Sequence, residues 1–294
     1  MDRRTFLIAT SLPVLSSCVN MSGVDPTWNT PSGKLLLLEK KFDVRIGVYA
    51  INTQDNSVFS YRGNERFAFC STFKFLVAAA ILQRSVQTPE LMRRHISFTA
   101  DDVKKSGYAP VTEQHVDTGM SVAELCAAMI EYSDNGAANQ LLKIMGGPGA
   151  INDFVRVIGD DEFRLDRWEP ELNSAIPGDV RDTTTPSAMA KNMRRLALDD
   201  GLPAAQKLQL QGWLRANSTG DARIRAGVPA SWQVGDKTGT GDYGVANDVA
   251  VLWPAQTARA PIVLAIFTNQ VTKTANANDD VVASAARIVV DTMR

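Results

Sequence analysis

Histidine is nearly absent from this chain. His95 and His115 are its only two, and neither sits in a ligand-spaced cluster, so a zinc hydrolase is set aside and no metal or cofactor is called for. Cysteine is almost as scarce, with three among 294 residues and no C-x-x-C pair. Charge of one sign is missing too: 31 Lys and Arg stand against 32 Asp and Glu. With no basic stripe, nucleic acid is not an expected partner. No apolar run is long enough to cross a bilayer. What remains is an ordinary globular composition, 45% hydrophobic. The length suits one large domain or two intimately packed ones with ample core.

The first residues read as an address. Arg3-Arg4-Thr5-Phe6-Leu7 is a charged start followed by a short apolar stretch to Leu15, as in a twin-arginine export signal. Leu15-Ser16-Ser17-Cys18 resembles a lipobox in which Cys18 becomes the lipidated first residue. A plain cleaved signal is the simpler alternative. Residues 1–17 are therefore expected to be an export signal and 18–30 a linker. The expected location is periplasmic, with membrane contact only through a lipid on Cys18. Cys70 and Cys126 are then the only thiols of the mature body, and in an oxidising compartment they could pair.

Leu35, Leu38 and Phe42 recur at helical spacing within 31–42 and predict a first helix. Val44, Ile46, Val48 and Ala50 alternate with Arg45, Gly47 and Tyr49, the pattern of a half-buried strand. A second strand is expected near Val58–Tyr61 after the polar turn 52–56. Phe73 to Leu82 is apolar on every side and should be a buried helix. Ser121-Val122-Ala123-Glu124 is a capping box opening a helix through Ile130. Asn135 or Gly136 starts another, through Met145 and ended by Gly146-Gly147-Pro148. Residues 164–182 read as a long loop, and a loop of that length inside a compact domain is usually functional. Residues 231–236, 244–253 and 261–268 are strand candidates. A last helix opens at Asn278-Asp279-Asp280, with Val281, Val282, Ala285, Ile288 and Val289 inward.

These elements predict an α+β fold. A five-stranded antiparallel sheet with the terminal helices on one face would form an α/β lobe from residues 31–62 and 216–294. An all-α lobe, 63–215, would be inserted between strands two and three and carry the 164–182 loop. There are no internal repeats and no low-complexity segment.

Three short motifs carry chemistry. Ser71-Thr72-Phe73-Lys74 begins the buried helix, and residues three apart share a helix face. A serine hydroxyl is a weak nucleophile until a base takes its proton, and a buried lysine can be that base if desolvation makes it neutral. The helix N-terminus aims N–H groups at a developing oxyanion. Alone, S-x-x-K is expected on the order of once by chance in such a chain. Ser133-Asp134-Asn135 between two helices and Lys237-Thr238-Gly239 at the end of a predicted strand are exact triplets, each far rarer. Together, in this order, the three are strong evidence.

From about residue 31 onward the chain resembles the class A serine β-lactamases. Glu169-Pro170-Glu171-Leu172-Asn173 resembles that family's E-x-x-L-N, and Asp236-Lys237-Thr238-Gly239-Thr240-Gly241 its strand edge. The stretch around Cys70, Thr240 and Arg223 is most similar to chromosomal enzymes of Burkholderia type. The resemblance implies a penicillinase or cephalosporinase that confers antibiotic resistance and works as a monomer on small β-lactam substrates. It makes Ser71 the nucleophile and Lys74 a base or proton relay. Ser133 is the proton donor to the departing ring nitrogen, and Lys237 a positive charge beside Ser133 and the substrate carboxylate. Thr238, Gly239, Thr240 and Arg223 would form the carboxylate subsite, and the Ser71 and Thr240 N–H groups the oxyanion hole. Asn135 would touch the acylamido side chain, while Glu169 and Asn173 hold the hydrolytic water. Either Lys74 or Glu169 could be the acylation base. A cis Glu169–Pro170 bond is also implied.

For the other residues a structural role weighs more. Asp134 is expected to be a hydrogen-bonding support, Arg167 and Asp182 a charge pair closing the loop, and His115 structural. Tyr108 should form one wall of the cleft. Arg223 could be a mere surface charge, but Ala246 stands where many relatives carry an arginine serving the carboxylate. Family disulfides at the positions of Cys126 and Cys70 need cysteines where this chain has Ala78 and Gly241, so both thiols are expected free. A D-alanyl-D-alanine peptidase or a penicillin-binding sensor also fits the three motifs. Glu169 and Asn173 discriminate, because only a lactamase needs a dedicated deacylation water.

Overall fold

A computed structural model describes residues 26–255 and 259–293. The expected export signal and Cys18 lie outside the described residues. Five strands form one antiparallel sheet: β1 (Arg45–Asn52), β2 (Val58–Tyr61), β3 (Gln233–Gly241), β4 (Val245–Trp253) and β5 (Ile262–Asn269), in the order β2-β1-β5-β4-β3. The expected α+β class and five-stranded antiparallel sheet are present. Register pairs Val48 with Tyr61 and Ile266, and Lys237 with Val249.

The first helix, α1 (Pro31–Phe42), starts where expected. Thr30 caps it by accepting from the Gly33 N–H, and proline occupies the first turn, where its missing N–H costs nothing. It and the C-terminal helix Asp279–Met293 cover one face of the sheet. Leu35, Ile46, Val48, Val281, Val282, Ala285 and Val289 are buried there together. The other face meets the helical body. Its central helix, α2 (Lys74–Gln87), buries nine consecutive residues from Lys74 to Leu82, as its all-round apolar sequence requires. α3 (Val122–Glu131) opens on the Ser121–Glu124 capping box, formed in both directions. α4 (Asn135–Met145) is capped by Asp134 and ends on Gly146 at φ 104°, a left-handed position that glycine adopts without steric cost.

Three expectations are corrected. β1 is not half-buried: Gly47 and Ile51 are buried along with Ile46, Val48 and Ala50. The helix Pro186–Ala197 and Phe67 close over its second face. A Cβ on Gly47 would lie 2.4 Å from the Phe67 ring and 2.9 Å from Pro186. The third strand does not end before Lys237-Thr238-Gly239. Pairing with β4 runs unbroken to Gly241↔Val245, so the triplet lies inside an edge strand. Residues 164–182 are not wholly irregular, because Glu171–Ser174 form a 3-10 turn and Arg164 bridges Thr183. The Glu169–Pro170 peptide is cis. Cys70 and Cys126 are buried and unpaired, as their missing partners implied.

Candidate active site

The position of Ser71 is set by a change of helix type. Residues Cys70–Phe73 form a 3-10 turn that runs into α2. Cys70 takes a left-handed φ of 47°, costly for a residue with a side chain. That kink presents Ser71 at the end of a rigid, buried helix. Ser71 is 8% exposed, and its hydroxyl donates to Glu169 Oε1 at 3.3 Å.

Lys74 lies at the centre of the site with no exposure at all. Its ammonium donates to the Ser133 carbonyl at 2.6 Å and Asn135 Oδ1 at 2.6 Å, and stands 3.1 Å from Glu169 Oε1. Burial pushes its pKa below the usual lysine range, opposed by the Glu169 charge. Lys237, equally buried, is pushed down to about 7 by burial first and then by the Lys74 charge. The two lysines flank one hydroxyl. Ser133 Oγ is 3.4 Å from Lys74 Nζ and 3.1 Å from Lys237 Nζ. Ser133 itself has φ 60°, held by its neighbours. Asp134 accepts from the Val111, Thr112 and Ala137 N–H groups and from the Thr112 hydroxyl. It is thus a cross-brace between the 108–112 segment and α4, with no free lone pair aimed at the cleft.

Glu169 reaches the site from the 164–182 loop. The loop's two ends are joined through Asp182, which accepts from the Asp166 and Arg167 N–H groups at 2.8 and 3.0 Å and from Arg167 Nε at 2.5 Å. Asn173, four residues on, donates to Glu169 Oε2 at 2.5 Å. Its Oδ1 is buried without a protein partner, beside that carboxylate. Asn139 completes the mounting. Its amide donates to the Glu169 carbonyl at 2.9 Å and accepts from the Glu169 N–H at 3.1 Å. Sequence reading missed Asn139, although it lies one helical turn beyond Asn135 on α4. Asn135 is also pinned, with Nδ2 donating to the Ser106 carbonyl at 3.0 Å.

The opposite wall is β3. As an edge strand it leaves backbone groups unpaired on the cleft side. It approaches the Cys70–Phe73 turn so closely that a Cβ on Gly239 would lie 2.5 Å from the Phe69 carbonyl oxygen. Arg223 is 6% exposed and is no surface charge. It donates to Asp279 at 2.7 Å, to the Gly239 and Asn247 carbonyls at 2.8 Å each, and to Thr240 Oγ1 at 2.7 Å. Tyr108 stands 58% exposed at the rim. Ser71, Tyr108, Ser133, Asn135, Asn173 and the β3 residues Thr238–Thr240 line one cleft of about 340 Å³. Larger cavities of 780 and 670 Å³ lie behind the loop and on the far side, and neither is lined by Ser71 or Lys74. Among the described residues no group of three His, Cys, Asp or Glu could hold a metal ion.

A serine hydroxyl bonded to a buried carboxylate, beside one suppressed lysine and a second serine bridged to another, is the apparatus of a serine hydrolase working by acyl transfer. Residues 33–293 match the β-lactamase enzyme family. The chain is 50% identical to the β-lactamase OXY-1 of Klebsiella oxytoca over 88% of its own length and 87% of that protein. It is 48% identical to the carbapenem-hydrolyzing β-lactamase KPC of Klebsiella oxytoca, covering 95% of each. The crystal structure of a β-lactamase from Desulfarculus baarsii DSM 2075 superposes with a TM-score of 0.87 at 52% identity, covering 90% of this chain and 97% of that one. The chain belongs to the β-lactamase enzyme family, among its class A serine enzymes.

Proposed function

We propose that this enzyme hydrolyses the β-lactam amide bond of penicillins and cephalosporins through an ester on Ser71, and so confers antibiotic resistance. Ser71 Oγ attacks the lactam carbonyl as its proton passes to Glu169, its hydrogen-bond partner, or to Lys74 in its neutral form. The oxyanion is met by the Ser71 and Thr240 N–H groups. The departing ring nitrogen takes the Ser133 proton, which Lys74 or Lys237 replaces. Glu169, ionised again once any proton it took from Ser71 has passed through Lys74 to Ser133, then removes a proton from a water. The resulting hydroxide attacks the ester carbonyl, and Ser71 leaves carrying the proton that Glu169 took from the water. The partnerless Asn173 Oδ1 offers that water an acceptor. Thr238, Thr240, Lys237 and Arg223 bind the substrate carboxylate, Asn135 takes the acylamido group, and Tyr108 walls the cleft. That cleft lies where the α/β lobe (31–62 and 216–294) meets the helical lobe (63–215).

The observation carrying this reading is Glu169 itself, with one oxygen on Ser71 at 3.3 Å and the other on Asn173 at 2.5 Å. A peptidase or a covalent sensor needs the serines and lysines but no second, separately mounted base. The test is a progress curve with a chromogenic cephalosporin. Sustained hydrolysis supports the lactamase, and a burst of one equivalent per enzyme rejects it. We further propose export to the periplasm by the Arg3-Arg4 signal, lipidation at Cys18, and action as a monomer. Cell fractionation, the mass of the mature N-terminus and size-exclusion chromatography test these three.

A further inference from the structure

The hydroxyl of Thr238 faces the cleft, and the direction of its proton follows from counting donors. Asn217 Nδ2 donates to Asp236 Oδ2 at 2.5 Å, so Asn217 Oδ1 points the other way. The same orientation is required independently by the Thr219 backbone N–H, which donates to Asn217 Oδ1 at 3.1 Å. An amide oxygen only accepts. The Thr219 hydroxyl, 2.8 Å from Asn217 Oδ1, must therefore spend its one proton there. Thr219 Oγ1 also lies 2.5 Å from Thr238 Oγ1. With its own proton used, Thr219 is the acceptor and Thr238 the donor. Asp236 anchors the chain from behind, its Oδ1 accepting from Arg225 Nε at 2.7 Å.

We propose that Thr219 is a positioning residue that turns the Thr238 proton away from the cleft in the free enzyme, so that Thr238 presents a lone pair to an arriving substrate carboxylate until that proton swings round. This rests on the carboxylate subsite proposed above. Thr240 behaves in the opposite sense. Its oxygen already accepts from Arg223 at 2.7 Å, which leaves its proton for the substrate. The pair therefore starts as one donor and one acceptor. Binding an anion converts the acceptor at the expense of the Thr219 bond, and Thr219 recovers nothing because its proton stays on Asn217. Thr219, itself part of the cleft lining, thus restrains affinity through Thr238.

The test compares benzylpenicillin with its methyl ester, in which the carboxylate charge is masked, on wild type, Thr219→Val, Thr219→Ala and Thr219→Ser. Removing the acceptor frees Thr238 to donate without a lost bond. A net hydrogen bond corresponds to roughly 2- to 10-fold in affinity, so KM for the acid should fall about 2- to 10-fold in the valine and alanine variants. KM for the ester should not follow it, and the serine variant, which keeps the relay, should match wild type. Two hydroxyl-free variants of different shape separate the relay from a packing effect. An acid-to-ester KM ratio unchanged or moved the other way in both overturns the proposal. If wild type itself binds acid and ester alike, the carboxylate subsite is wrong and the proposal falls with it.

Discussion

Arg223→Ala removes four hydrogen bonds at once, and they serve two purposes. Three of them, to Asp279 and to the Gly239 and Asn247 carbonyls, fasten the end of β3 to β4 and to the start of the C-terminal helix. Deleting the guanidinium leaves both carbonyls without this donor in a buried site. An unsatisfied buried polar group costs about 1–3 kcal/mol, so stability should fall by about 2–5 kcal/mol. At about 2–4 °C per kcal/mol for a chain of this size, Tm should drop by about 5–15 °C. The fourth bond orients Thr240, and the charge itself faces the cleft. Losing a charge-assisted bond to the substrate is worth about 1.5–3 kcal/mol, or roughly 10- to 150-fold in KM. The substitution should therefore show in both stability and kinetics. Arg223→Lys keeps the charge but cannot span four acceptors in one plane, so it should restore part of KM and little of Tm. The assays are urea or thermal unfolding beside steady-state kinetics on one penicillin and one cephalosporin. A wild-type Tm would refute the fastening network. An unchanged KM with a lowered Tm would leave Arg223 as scaffold alone.

Lys237, pushed down to about 7, carries its charge below that pH and loses it as pH rises. Attraction for the substrate carboxylate is therefore present on the acid side and should fade above about pH 7, so KM should climb there. A KM flat to pH 9 would contradict this. Asp182→Ala leaves the Arg167 charge and the Asp166 and Arg167 N–H groups without their shared acceptor. Breaking such a pair costs about 3–5 kcal/mol, and limited proteolysis should find new cleavage within 164–182, whereas protease resistance equal to wild type would count against the clasp. The denatured protein lacking residues 1–18 should titrate two thiols without reductant, while the native protein should react slowly, because burial pushes both thiols well above the usual range. Finding no thiol on denaturation would mean a disulfide.

The proposed catalytic residues were legible because each sits in a short motif whose spacing maps onto one local element: Ser71 with Lys74 at one helix start, Glu169 with Asn173 in one loop. Asn139 and Thr219 were not, because what they do is fixed by residues distant in sequence, Glu169 and Thr238, and neither side chain is chemically distinctive. Glycines hid the extent of β3. Gly239 and Gly241 are poor strand formers on propensity, but the strand needs them where a Cβ would meet the Phe69 carbonyl and the Cys70 sulfur. The second buried face of β1 was equally invisible to alternation, since it depends on a helix more than 130 residues later. Gly47, which leaves room for Phe67 and Pro186, was its one trace.

The two-step account turns on Glu169, and mass spectrometry of Glu169→Ala mixed with benzylpenicillin tests it most directly. Ser71, Lys74 and Ser133 remain to open the ring, so an ester should still form, more slowly if Glu169 also takes the serine proton. Its hydrolysis lacks the base, and general-base help is worth about 10²–10⁴-fold. Glu171, the nearest other carboxylate in the chain, has no contact with Ser71 in place of it: the Ser71 hydroxyl bonds to Glu169. The variant should therefore carry one added drug mass on Ser71 that persists long after wild-type enzyme has cleared its substrate. Turnover at near wild-type rate with no adduct would contradict the account and move deacylation to another group.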